Sequence, residues 1–184
     1  MVELSYESFG GNAMGDYLNI GGVPSVPERT ACFTGHRTIP SEIMEKLISE
    51  LDDALEKYIS DGYDCFIAGG AIGFDTVAAF RVLNAKENHP EIKLVLALPC
   101  RNQTERWTSL KNLKEYQILK DNADAVIYLQ NFYDDQCMMK RNRFMVDMSS
   151  LCIGYVTKTC GGSAATMRYA KKKNIECLNL GDNL

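Results

Sequence analysis

From residue 30 onward, short and almost unbroken apolar runs alternate with longer stretches of helical period, and this alternation narrows the fold more than any other feature. The runs are "ACFTG", "YDCFIAGG", "IKLVLALP", "ADAVIYL", "LCIGYV" and "IECLNL". Between them lie "SEIMEKLISELDDALEKYI", "DTVAAFRVLNAK", "QTERWTSLKNLKEYQILKD", "QCMMKRNRFMVDMSS" and "SAATMRYAKKK". In order, they predict six strands and five helices. Ile43, Leu47, Leu51 and Leu55 recur every fourth residue and are joined by Met44, Ile48 and Tyr58, so the first helix has one apolar stripe to bury. The strands are apolar throughout, the pattern of a parallel sheet covered on both faces. Strict alternation with right-handed crossovers then predicts an α/β, Rossmann-like, doubly wound, mainly parallel six-stranded sheet with helices on both faces.

A chain of 184 residues suits one such domain, expected over 28–184. Residues 1–27 contain Gly10, Gly11, Gly15, Gly21, Gly22, Pro24 and Pro27 with scattered apolar residues, and read as a flexible or loosely docked extension. No apolar run approaches the roughly 18 residues that span a bilayer, and no basic segment followed by an apolar one opens the chain. No membrane association and a cytoplasmic location are expected. The seven cysteines, at 32, 65, 100, 137, 152, 160 and 177, form no Cys-x-x-Cys pair and have no histidine nearby, so they read as reduced, mostly buried thiols with no metal site. A net charge of −4 and a pI near 5.3 disfavour general coating of nucleic acid and leave room for a local basic patch.

Ligands of an open parallel sheet bind beyond the carboxyl ends of its strands, so the loops after the strands are where chemistry is expected. After the first strand, "TGHR" combines the turn residue Gly35 with His36 and Arg37. His36 suits a proton shuttle, a hydrogen-bond donor or a surface residue, and Arg37 an anion contact through its fixed fork of donors. After the second, "GGAIGFD" places Gly69, Gly70 and Gly73 before a helix start, where backbone N–H groups and the helix dipole attract anions. Asp75 there is either an N-cap or a contact to a ribose hydroxyl or base edge. The spacing is not Gly-x-Gly-x-x-Gly, so the dinucleotide fingerprint is not met. After the third strand come Arg101, Asn102 and Trp107, the last suited to stacking on a base or to packing between helix and sheet. Gly161, Gly162 and Ser163 open a second glycine turn into a helix, which makes a two-sided anion pocket. The preceding helix carries Arg141, Asn142, Arg143 and Asp147, with Arg143 and Asp147 spaced as a surface ion pair.

The ordered set "TGHR", "AGGAIGFD", "PCRN", "RNRFMVDMS" and "GGSAAT" resembles the SLOG superfamily of DprA/Smf and LOG proteins, and within it the YpsA-like branch. The resemblance spans about residues 30–180. DprA/Smf proteins bind single-stranded DNA, and LOG proteins are dimeric phosphoribohydrolases acting on nucleoside monophosphates. Gly161, Gly162 and Thr166 match the LOG glycine loop, but Cys160 replaces its proline, and Met167 and Arg168 stand where acidic residues are expected. Arg141 matches the arginine of the LOG pair, whose lysine is replaced by Asn142. Cleavage of an N-glycosidic bond needs an anion or base near the sugar. Asp75, Asp147 and His36 are the substitutes available.

The resemblance implies a pocket for a nucleotide or nucleotide-derived ligand, without a required cofactor. Phosphate would lie on the glycine turns, and base or ribose against Arg37, Asp75, Asn142 and Arg143. A binding or sensing protein for such a ligand is the first expectation. The alternatives are a nucleosidase or phosphoribohydrolase related to LOG, and a DprA-like single-stranded DNA module, which the acidic pI makes less favoured. A homodimer would follow from an exposed apolar helix face.

Overall fold

Successive residues of a strand face opposite sides of the sheet, so a run that is apolar throughout needs cover on both faces, and the chain supplies it. The computed structural model describes residues 3–5, 18–20, 23–182 and 184. Three short strands come first, β1 (Glu3–Ser5), β2 (Leu18–Ile20) and β3 (Val23–Ser25). The alternating part follows as β4 (Thr30–Gly35), α1 (Met44–Ser60), β5 (Cys65–Ala68), α2 (Phe74–Ala85), β6 (Lys93–Leu98), α3 (Leu110–Asn122), β7 (Ala125–Tyr128), α4 (Cys137–Asp147), β8 (Leu151–Tyr155), α5 (Gly162–Lys172) and β9 (Glu176–Asn179).

Neighbouring strands of the main sheet all pair in parallel, in the order β1-β7-β6-β5-β4-β8-β9. Phe33, Phe66, Leu94 and Leu96 join the core shared with α1, α2 and α3. Their neighbours Cys32, Ile67, Val95 and Ala97 belong to the core shared with α4 and α5. In α1 the stripe residues Leu47, Leu51 and Leu55 are buried, and truncating any one to alanine would cost about 2–5 kcal/mol. From β4 the chain builds outward through β5, β6 and β7, then returns to lay β8 along the other edge of β4, from Ala31 opposite Leu151 to Gly35 opposite Tyr155. The β4–β8 seam is therefore the topological switch point, where loops diverge and leave a crevice.

The expected six strands are present as β4 to β9, and β1 adds a seventh at the sheet edge against β7. Of the extension expected over 1–27, residues 1, 2, 6–17, 21 and 22 lie outside the described residues, while β2 and β3 pair antiparallel with each other. The third helix differs from expectation. It begins at Leu110, where Ser109 Oγ accepts the Asn112 N–H at 3.3 Å, and not at Gln103. Residues before it turn back onto the sheet end, because Gln103 Nε2 donates to the Gly70 carbonyl at 2.8 Å. Trp107 packs edge-on against Tyr116, with ring centroids 5.4 Å apart, which is the interface role and not base stacking.

Among the described residues all seven cysteines are free. No described helix is long and apolar enough to cross a membrane, and no described group of three His, Cys, Asp or Glu is placed to hold a metal ion.

Candidate functional site

The crevice at the β4–β8 seam is a cavity of about 380 Å³ whose lining combines Thr34, Gly35, His36 and Arg37 at and after the end of β4, Asp75 on α2, Arg141 and Asn142 on α4, and Lys158, Cys160, Gly161, Gly162 and Ser163 before and within α5. Four separate segments thus converge at one end of the sheet.

The first glycine turn is explained by protein contacts. Asp75, the second residue of α2, is 7% exposed and folds back over the turn, its Oδ1 accepting the Gly69 N–H at 3.1 Å and its Oδ2 the Ala71 N–H at 2.7 Å. It is not the N-cap; Gly73 occupies that position. On the other side of Gly69, the buried Arg141 donates from Nη1 to the Gly69 carbonyl. A Cβ at Gly69 would collide with that guanidinium. Gly73 has φ +93°, and a Cβ there would strike the backbone of His36 and Arg37, whose loop is tied to α2 by the Phe74 N–H donating to the His36 carbonyl at 3.0 Å. Burial raises the Asp75 pKa, and Arg141 and the loop N–H groups oppose the shift. Both carboxylate oxygens accept loop N–H groups, so Asp75 holds the first glycine turn together beside Arg141.

From Arg141 a line of hydrogen bonds crosses the cleft floor. Arg141 Nε donates to Asn142 Oδ1 at 2.7 Å, Asn142 Nδ2 to Thr166 Oγ1 at 2.7 Å, and Thr166 Oγ1 to the Gly162 carbonyl at 2.9 Å. The two glycine turns are joined through side chains that are satisfied by one another, which fixes their separation.

The second turn is open. At both Gly161 and Gly162 a Cβ would meet nothing within 4 Å, so these backbone groups face the cavity at the start of α5. Arg37 and Lys158 add exposed cations to the same lining. His36 braces this side. Its Nε2 accepts the Thr157 N–H at 2.8 Å, which makes Nε2 an acceptor and leaves the ring proton on Nδ1, 3.4 Å from Ser163 Oγ. Burial and then Lys158 lower its pKa, so the ring is neutral at pH 7 and its lone pair is engaged with the loop backbone.

Several residues expected at the site lie elsewhere. Asp147 sits at the far end of α4, where it accepts from Tyr169 Oη at 3.0 Å and pairs with Lys173 at 2.6 Å, because α4 runs antiparallel to the strands and carries its last turn away from the cleft. Arg143 pairs with no Asp147; its guanidinium lies 5.7 Å from the Tyr169 ring centre, in the groove between α4 and α5. Arg101 stacks 4.4 Å over Tyr128, and Asn102 Oδ1 accepts the Tyr133 N–H at 2.9 Å, so both brace the loop after β7. Gly70 offers its carbonyl to Gln103 and lies outside the cavity lining. Sequence reasoning passed over Lys158 and Met138, which do line the cavity. Lys158 was signalled by its place in "TKTCGGS", two residues before Cys160 on a loop following a strand; nothing local marked Met138.

A family model described as the YspA SLOG family, YpsA, matches residues 36–179, from the His36 loop to the end of β9. The chain belongs to this SLOG family. It is 26% identical over 143 residues to the uncharacterized SPbeta prophage-derived protein YoqJ of Bacillus subtilis (strain 168), covering 71% of this chain and 81% of YoqJ. It is 25% identical over 127 residues to a UPF0398 protein of Bacillus thuringiensis (strain Al Hakam), covering 68% of each. Among solved structures, DNA processing protein A of Helicobacter pylori, whose single-stranded DNA binding has been described, aligns with TM-score 0.59 at 19% identity over 83% of this chain and 64% of that one. DNA processing protein A of Streptococcus pneumoniae aligns with TM-score 0.58 at 14% identity, over 83% of this chain and 49% of that one. TM1055 aligns with TM-score 0.50 at 14% identity, over 84% and 79%. The SLOG chain thus spans about two thirds and one half of the two DNA processing proteins, and these likenesses establish the Rossmann-like fold.

Proposed function

We propose that the β4–β8 cleft binds a nucleotide or nucleotide-derived ligand, with its phosphate at the start of α5, and that the protein works as a binding or sensing protein in the cytoplasm. The observation that carries this reading is the open second glycine turn. Gly161 caps α5 and Gly162 and Ser163 begin it, a Cβ at either glycine would meet nothing within 4 Å, and Arg37 and Lys158 are in the same lining. Helix N-termini favour anions through unpaired N–H groups and the dipole, and nearby cations add to that attraction. Binding is favoured over hydrolysis because Asp75 is held by loop N–H groups, the His36 lone pair is engaged, and Asp147 lies away from the cleft.

Titration calorimetry with AMP, GMP, CMP and UMP tests the reading, with Arg37→Ala and Lys158→Ala beside the wild type. At least one nucleotide is expected to bind, and at a hundred times its Kd to stabilise the fold by about 2.7 kcal/mol. Each variant should bind about tenfold more weakly with an unchanged melting temperature. Absence of binding by all four and by diadenosine pyrophosphate, a nucleotide-derived probe, would refute the proposal, and stabilisation by an oligothymidylate strand instead would point to the nucleic-acid alternative.

A further inference from the structure

The cleft continues past α5. A second cavity of about 470 Å³ runs along the groove between α4 and α5, and Met138, Asn142 and Gly162 line both cavities, so the two meet at the first residue of α5. Each is within the size range of small-molecule sites, roughly 300–1,000 Å³.

Their chemistry differs. Beyond the junction the groove is lined by Met139, Ala165 and Tyr169, with Arg143, Arg168 and Lys172 and one carboxylate, Asp135. Thioethers pack against the rings of planar groups, and guanidinium groups stack on them. Met139 is 53% exposed, apolar surface that a planar group would cover. Three cations against one acid suit a group that carries negative charge.

We infer that the ligand is two-armed: its anionic centre lies at the junction beside Gly162, one arm enters the β4–β8 cleft, and a second, planar arm enters the α4–α5 groove. The class this describes is a pyrophosphate-bridged nucleotide conjugate. A mononucleotide has one arm and fills one side of the junction. The inference rests on the nucleotide reading above and adds the ligand class.

Diadenosine pyrophosphate is the test ligand, because its two arms are identical and its orientation is immaterial; AMP is the one-armed reference. Calorimetry is run on the wild type, on Ala165→Trp, which fills the groove, and on Met139→Glu, an exposed position where folding is undisturbed and a charged group replaces the apolar surface that the planar arm would cover. The wild type is expected to bind diadenosine pyrophosphate at least tenfold more tightly than AMP, and that preference should fall close to unity in both variants. Equal wild-type affinity for the two ligands, or a preference that survives in the variants, overturns the two-armed inference and leaves mononucleotide binding standing. If the wild type binds neither ligand, both readings fall together.

Discussion

Asp75 and Arg141 hold Gly69 from opposite sides, the carboxylate accepting its N–H at 3.1 Å and the guanidinium donating to its carbonyl. The two side chains come from α2 and α4, on opposite faces of the sheet, and both are 7% exposed. Oppositely charged and buried, they lower each other's desolvation cost, and the residue between them cannot carry a side chain.

Asp75→Asn should therefore act on stability. The substitution leaves Arg141 as an uncompensated buried charge and turns an amide toward backbone donors, a loss of about 3–5 kcal/mol. Urea denaturation measures it, and the double variant Asp75→Asn with Arg141→Met should recover much of the loss. Additive losses in the double variant would mean that the pair is not coupled.

The two glycine turns should separate under substitution. Gly69→Ala displaces the Arg141 guanidinium and should cost about 1.5–3 kcal/mol through its lost hydrogen bond. Gly162→Ala meets nothing within 4 Å and should leave stability equal or raise it by up to about 1 kcal/mol, while its methyl group weakens nucleotide binding tenfold or more. Melting curves beside calorimetry distinguish the two.

Lowered below the ordinary value of 6.5, the His36 pKa makes part of the stability depend on pH. The unfolded chain takes up this proton more readily than the folded one, so the contribution is full above pH 6.5 and is lost as pH falls through the folded pKa. Protonation also turns Nε2 into a donor facing the Thr157 N–H. The urea midpoint should fall with pH in that window, and His36→Gln, with His89 still present, should remove the His36 share of the fall.

Asp147→Asn should leave nucleotide binding unchanged. Its partner Lys173 is half exposed, so the stability loss is expected to be about 0–1 kcal/mol. A drop in affinity of more than twofold would place Asp147 in contact with the ligand.

Sequence alone determines the six strands from β4 to β9, the helices that connect them and the sheet end at which the loops gather, because these depend on local periodicity. Continuous apolar strands require cover on both faces, and helices between strands force parallel pairing and a switch point. "TGHR" and "CGGS" could be placed at the same sheet edge for that reason. The start of α3 was less legible, since Gln103 is held away from the helix by the Gly70 carbonyl, a partner 33 positions distant.

Contacts between distant segments decide what each residue does. "AGGAIGFD" reads as a phosphate loop, yet its glycines make room for Arg141, 72 positions away from Gly69, and for the His36 loop, and its aspartate closes on its own N–H groups. Asp147 shares a helix with Arg141 but lies nearly two turns further along, which carries it away from the cleft. A glycine that is empty for protein and a glycine that is empty for a ligand are the same letter, and the difference lies in what the folded chain brings to within a few ångströms of the Cα.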